Sequence, residues 1–285
     1  MNLPIAISIA AAVPFFAGLA SLIFASCQAG KKPLRSNAVL FHAVSDDLRS
    51  GLSNVRPDVF SEFVSLVEKK RIEAATVSDF VNQPSSNKIA ITFDDGYSDI
   101  YETCFPILSH ARFVATVYMI SSRVGGKSGW DIYSGKKMLS SSQLKELSDA
   151  GWQIGSHSHS HPDLTLLDKS RLAEELVLSK KIIEDITGKE VDSISFPFGR
   201  WNMRVWGAAQ NAGYKTACSY GKASASGLNV IKTNGTYLFD SAQDILDRTG
   251  TKNSGDLNAL SRGLVMPHFA KGSPLWNFRN EYRFF

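Results

Sequence analysis

Ile89-Ala90-Ile91-Thr92-Phe93-Asp94-Asp95-Gly96-Tyr97 is the stretch whose reading decides the fold. Ile89, Ile91 and Phe93 alternate with smaller residues, the period-2 signature of a strand with one strongly apolar face. Two carboxylates close that strand and a glycine follows. Adjacent side chains on a regular strand point to opposite faces. Asp94 and Asp95 can therefore serve one site only if the strand ends here and the turn swings them together, a backbone that Gly96 permits. Two unpaired carboxylates in a core would be costly, so the pair is expected at a strand mouth beside a cation or water. Asp-Asp-Gly is also ordinary turn vocabulary, and these residues alone do not separate a site from a solvated loop.

Outward from this strand the chain alternates strand and helix. Residues 38–41 read as the first strand, with His42 at its end. A helix with an apolar stripe at Val59, Phe60, Phe63, Val64 and Val67 starts at Pro57, a residue tolerated in the first turn. Beyond the Asp pair, residues 101–109 look helical with Pro106 as a kink, and residues 114–120 form a buried, β-branched strand. A long loop, 125–137, carries Trp130 and Tyr133, which either contact substrate or pack the loop down. Ser140 caps a helix ended by Gly151, residues 152–156 form the next strand, and a long helix runs from about 170 to 187, with Gly188 after it. Residues 193–196 are a strand, Pro197-Phe198-Gly199 turns, and a helix over about 204–212 leads through Gly213 to another strand. At least five alternations argue for an α/β fold with a parallel sheet, open or closed into a barrel.

The chain of 285 residues is 44% apolar and 20% charged, a globular composition, with a net charge of +4 that gives no reason to expect nucleic acid as a partner. Cys27, Cys104 and Cys218 form no C-x-x-C pair and no disulfide framework; Cys104 and Cys218 are expected to pack as small hydrophobes. Residues 3–26 carry no charge and suit a membrane span or uncleaved signal anchor, and Cys27 after Phe24-Ala25-Ser26 loosely resembles a lipid-modified cysteine. The first cations, Lys31, Lys32 and Arg35, lie beyond the apolar run, which by the positive-inside tendency favours a cytoplasmic body. The expected division is a membrane-targeting segment over 1–30, a folded domain over 37–245 and a tail over 246–285.

The second chemical feature is Gly155-Ser156-His157-Ser158-His159-Ser160-His161-Pro162, with three of the six histidines. It directly follows a strand, and Pro162 biases His161 away from the right-handed helical region. Imidazoles four apart can converge on one cation in a turn, whereas three at spacing two diverge, so His157 and His161 are the expected pair. Two imidazoles and a carboxylate suit Zn²⁺ or another divalent ion. A cation of this kind lowers the pKa of water to about 7 and polarises a carbonyl, and a second carboxylate is needed to take the proton. The Asp pair supplies one of each. Both motifs would lie at the C-terminal mouths of their strands.

Together, Thr92-Phe93-Asp94-Asp95-Gly96, His157-Ser158-His159-Ser160-His161 and Phe196-Pro197-Phe198-Gly199 resemble three motifs of the polysaccharide deacetylases, carbohydrate esterase family 4 or NodB-like, over about residues 37–240. The resemblance implies a distorted (β/α)7 barrel of the NodB-homology type and a divalent metal, Zn²⁺ with Co²⁺ or Ni²⁺ as alternatives. It implies removal of N-acetyl groups from an N-acetylglucosamine-type polysaccharide and a membrane-associated, extracytoplasmic setting, against the cytoplasmic body that the early cations favour. By position it makes Asp94 the general base and Asp95, His157 and His161 the metal ligands. Phe198, between Pro197 and Gly199, would contact substrate and offer its N–H to the oxyanion. Three departures stand out. Ser195 replaces the arginine that orients the base, the fourth motif has no match near residues 214–234, and the late histidine motif is missing. Val39-Leu40-Phe41-His42 resembles that last motif moved to the front, as in poly-N-acetylglucosamine deacetylases. His42 is therefore the expected acid, with His268 as the other candidate, and His110 and His159 are left as structural or surface residues. O-deacetylation of a xylan-like polymer and a catalytically impaired metal- or carbohydrate-binding barrel are the competing readings.

Overall fold

The computed structural model describes residues 37–47, 53–129, 135–220 and 228–249. The apolar run 3–26, Cys27, Trp130, Tyr133 and His268 lie outside them. Ten strands are assigned among the described residues: β1 (Ala38–Phe41), β2 (Ala43–Val44), β3 (Asn54–Val55), β4 (Glu73–Ala75), β5 (Lys88–Phe93), β6 (Thr116–Met119), β7 (Gln153–Ser156), β8 (Ser193–Ser195), β9 (Thr216–Tyr220) and β10 (Val230–Gly235). The α-helices are α1 (Pro57–Lys69), α2 (Val77–Asn82), α3 (Phe105–His110), α4 (Ser141–Asp149), α5 (Lys169–Thr187), α6 (Met203–Asn211) and α7 (Ala242–Arg248).

Strands β5 to β10 follow one another around the sheet, and β1 bonds both β10 and β5, closing a parallel barrel of seven strands. Strand β4 is an eighth, outside the ring. It pairs with residues 88–90 of β5 while β6 pairs with residues 92–93 of β5, so the two lie end to end along one edge. The closure registers Phe41 with Phe93 and sets the ends of β1 and β5 level.

Alternation along the strands separates two cores. Phe41, Ile91, Phe93, Val117, Ile154, Ile194 and Ala217 face outward and merge with the helix residues Phe60, Phe63, Leu144, Leu176 and Val205. The face read from sequence as strongly apolar is thus the face toward the helices, with Phe93 stacked on Trp152 at 5.9 Å. Ala38, Ala90, Tyr118, Cys218 and Ile231 point into the barrel, where they join Ala75, Val77 and Phe80. Small residues belong on this side because the lumen is narrow: a Cβ on Gly155 would lie 2.5 Å from the Tyr118 ring. Helix α2 closes the lumen at the end where the strands begin.

The helix boundaries follow local chemistry. Ser140 and Gln143 form a reciprocal cap on α4, Asp168 caps α5, and Gly188 ends α5 at φ 69°. Pro106 causes no break. A π-helical turn over Ile100–Cys104 runs directly into α3, and Pro106 falls in the first turn of that helix, where its missing N–H costs little. The expected domain boundary at 245 falls inside α7, which packs on α1. No described helix is long and apolar enough to cross a membrane.

Candidate active site

The inward-facing column of each strand ends at one mouth of the barrel. Ala38 and Leu40 lead to His42, Ala90 and Thr92 to Asp94, Gly155 to His157, and Ser193 to Ser195. Asp94 stands just past β5, its N–H bonded to Phe41 O at 3.0 Å. Asp95 then takes φ 72° and Gly96 φ 87°, which turns the second carboxylate back toward the first. A Cβ on Gly96 would collide with the Met119 side chain.

His157 and His161 converge as their spacing predicts, their ring centroids 4.8 Å apart. Asp95 Oδ1 lies 3.5 Å from His157 Nε2 and 3.6 Å from His161 Nε2, too long for good hydrogen bonds. A tetrahedral cation with ligands at about 2.1 Å has ligand atoms about 3.4 Å apart. Three donors therefore surround a volume of cation size, and all of them lie within 4.8 Å of one another. The tautomer agrees. His157 Nδ1 lies 2.8 Å from Ser195 O; a carbonyl only accepts, so Nδ1 carries the proton and Nε2 presents its lone pair. Burial holds the His157 pKa below its usual value, against the pull of Asp95 and of the Ser195 carbonyl, and the ring is neutral at neutral pH.

Asp94 sits beside this cluster, Oδ2 3.9 Å from His157 Nε2. The Ser195 hydroxyl donates to the same Oδ2 at 2.9 Å. Burial pushes the Asp94 pKa up to about 7; His42 opposes the rise, Asp95 adds to it and the Ser195 bond lowers it. A carboxyl poised near neutrality is suited to taking a proton. Half-buried His42, one residue past β1, lies near enough to act electrostatically on Asp94.

Four of the six described non-glycine residues with positive φ cluster here: Asp95, Ser158 (63°), His161 (68°) and Phe198 (59°). Each such conformation costs roughly 1–2 kcal/mol, and local bonds offset the cost. Ser158 Oγ accepts the His161 N–H at 3.0 Å, and Ser156 Oγ accepts that of Ser158 at 3.1 Å. Glu175 of α5 accepts the N–H groups of His159 and Ser160 at 2.9 and 2.8 Å. His159 Nδ1 bonds Ser121 Oγ at 2.9 Å, a structural peg, and His110 ends α3 away from the cluster. The Phe198 ring meets His161 edge-on at 4.7 Å. Pro197 is buried, and Gly199, at φ 63°, has no room for a Cβ because the Tyr220 backbone lies against it. Arg200 bonds Asp163 at 2.7 Å and ties this turn to the histidine loop.

Sequence reading treated Ser195 only as a missing arginine and overlooked what it does. Its hydroxyl holds Asp94 and its carbonyl holds His157. The signal was present: Ser193-Ile194-Ser195 alternates, which sends both hydroxyls to the same side as Asp94.

A parallel α/β barrel with two imidazoles and a carboxylate gathered at its C-terminal mouth, and a second buried carboxylate alongside, defines a class of metal-site barrels. Residues 81–217 match the family described as polysaccharide deacetylase. The chain is 31% identical over 154 residues to the Bacillus subtilis protein YxkH, provisionally named a polysaccharide deacetylase, covering 54% of this chain and 52% of that one. It is 24% identical over 194 residues to the poly-β-1,6-N-acetyl-D-glucosamine N-deacetylase of Staphylococcus aureus strain MRSA252, covering 63% and 65% of the two chains. The chain thus spans about half the length of the first relative and less than two thirds of the second. Among solved structures, the Streptococcus pyogenes deacetylase PplD aligns over 76% of this chain and 99% of its own, at 21% identity and a TM-score of 0.64. IcaB from Ammonifex degensii aligns over 74% and 95%, at 18% identity and a TM-score of 0.62. These two likenesses show the fold, the NodB-type (β/α)7 barrel.

Proposed function

We propose that the chain is a divalent-metal-dependent N-deacetylase acting on an N-acetylglucosamine-type polysaccharide. The observation that carries this reading is the spacing of Asp95, His157 and His161 around a cation-sized volume with Asp94 at its edge. The family supplies the reaction class, and the name of the S. aureus relative favours an N-acetylated glucosamine polymer.

A divalent cation held by Asp95, His157 and His161, with Zn²⁺ fitting the donor set and Co²⁺ or Ni²⁺ as alternatives, would acidify water and polarise the acetamide carbonyl. Asp94, anchored through Oδ2 by Ser195, takes the proton of the attacking water. Negative charge grows on the carbonyl oxygen, and the backbone N–H of Phe198 is the donor assigned to it. His42 protonates the leaving nitrogen. The products are acetate and a free amino sugar. Residues 3–26 are assigned to membrane attachment with the barrel outside the cytoplasm; protease accessibility of the barrel in intact cells tests this.

Acetate release from β-1,4- and β-1,6-linked N-acetylglucosamine oligomers, with Zn²⁺ or Co²⁺ added, tests the activity. Release by the wild type, lost in Asp94→Asn with metal binding retained, is the expected result. Equal trace release from both proteins would overturn the reading in favour of an inactive binding barrel.

A further inference from the structure

The loop that carries His157, His159 and His161 is shaped from outside, by one face of α5. Glu175 and Ser179 stand one turn apart on that helix and so lie on the same face. Both reach the loop. Glu175 Oε2 accepts the N–H groups of His159 and Ser160 at 2.9 and 2.8 Å, and its Oε1 accepts the Ser160 hydroxyl. Ser179 Oγ donates to Ser158 O at 3.0 Å and lies 2.7 Å from Ser156 Oγ. Two other acids of α5 behave differently: Glu184 and Asp185 bond Lys180 and Lys181, one turn back on their own helix. Glu175 turns both carboxylate oxygens onto the loop instead.

His157 and His161 differ in what holds them. His157 is fixed by two neighbouring strand ends, its N–H donating to Met119 O at 2.9 Å and its Nδ1 to Ser195 O at 2.8 Å. His161 has a left-handed backbone, φ 68°, and its N–H donates to Ser158 Oγ at 3.0 Å, inside the loop. Ser158 is itself left-handed, φ 63°. The place of His161 relative to His157 therefore depends on a loop shape that serine and histidine rarely adopt. Hydrogen bonds to a carboxylate are among the stronger ones. Three of them act on residues 159 and 160, between the two left-handed positions.

We propose that Glu175 is a positioning residue for the metal site: it moulds the histidine loop before a cation arrives and keeps the His161 imidazole facing Asp95 and His157. This rests on the metal-site reading above. A loop that already has its bound shape loses little conformational entropy when the cation enters, and the affinity is higher for it.

The test is Zn²⁺ titration of the metal-stripped full chain, by calorimetry against a competing chelator, at a temperature where each variant is folded. Glu175→Ala is expected to weaken Zn²⁺ binding about 10–100-fold, the range for groups that orient ligands. Amide exchange at His159 and Ser160 in the metal-free protein, read from the peptide over 157–163, should quicken at least about 10-fold. A role in stability alone would lower the unfolding midpoint and leave the affinity of the folded protein unmoved. Glu175→Gln keeps an acceptor for both N–H groups and should stay within about 3-fold of the wild type. Glu174→Ala removes an exposed charge from the same helix and should change nothing. If Glu175→Ala does not fold, Glu175→Asp, which keeps the charge on a shorter arm, replaces it with the same expected loss. A loss of less than about 3-fold, below the range for an orienting group, overturns the proposal and leaves the metal site standing. A glutamine variant as weak as the alanine one overturns it too, because charge rather than loop shape would then set the affinity. A wild type that binds no Zn²⁺ overturns both the proposal and the metal-site reading.

Discussion

The two mouths of the barrel are built from the same strands by opposite rules. At the end where the strands begin, α2 plugs the lumen with Val77 and Phe80, and a polar cluster knits the plug to the sheet. Ser78 Oγ donates to Asp192 at 3.0 Å, Gln153 Nε2 donates to Asp192 at 2.8 Å, and Thr116 Oγ1 accepts the Val77 N–H at 2.9 Å. At the other end, four left-handed non-glycine residues crowd together, and Asp94 Oδ1 is buried with no hydrogen-bond partner. One mouth is arranged to lower the free energy of the fold. The other holds conformations and charges that raise it, which is what a site gathering ligands for a cation requires.

The sharpest way to break this contrast is Asp94→Asn. Its loss of acetate release should be about 10³-fold, within the usual range for removing a general base. The same change should stabilise the metal-free protein. Asp94 has a folded-state pKa of about 7 against 3.8 for the free side chain, so the folded form binds the extra proton. Its ionisation therefore penalises the fold progressively from about pH 4 to about pH 7, and the penalty is complete above that. Thermal melts of the metal-free protein at pH 5 and pH 8 should show the wild type losing more stability at pH 8 than the variant; equal losses would contradict the burial argument.

Removing a proposed ligand comes next. His161→Ala should weaken Zn²⁺ binding, followed by calorimetry, more than 100-fold, beyond the roughly 10–100-fold typical of outer-shell partners. Ser195→Ala should lower kcat about 10-fold with KM and metal affinity little changed, and Ser195→Thr should recover most of that loss, because it returns the donor to Asp94. The smallest catalytic effect belongs to the opposite mouth. Ser78→Ala should cost about 1–2 kcal/mol in urea unfolding through its lost bonds to Asp192 and Gln153, with kcat/KM unaltered. A fall in activity there would mean that the two ends are coupled.

How much of this was legible depended on whether the information was local. The Asp-Asp-Gly turn, the convergence of His157 and His161 and the caps at Ser140 and Gly188 are short-range features, and the structure has that turn, that convergence and those caps. Alternation in β5 revealed two faces but not which one looked inward, because Ile89, Ile91 and Phe93 would suit either a lumen or a helix layer; only closure of the ring decides. The β1–β5 pairing joins residues 52 apart, and no local period encodes it. Strand β4 and helix α7 escaped notice because they are short and their stability comes from what they pack on. The left-handed turns at Ser158 and His161 escaped because serine and histidine rarely adopt them without a scaffold such as Glu175 provides. Ser195 was judged for the charge it lacks, and its hydroxyl could be valued only once β8 and β5 were seen to share a lumen.

The position of β1 between β5 and β10 has a consequence for biogenesis. During synthesis the first strand can dock on β5 early, yet its other edge stays open until residue 235 has left the ribosome. Until then the nascent chain carries an exposed strand edge with Val39 and Phe41 on it, a template for mispairing. Truncation ahead of β10 should therefore yield an aggregating fragment, even though Asp94, Asp95, His157 and His161 would already have been made.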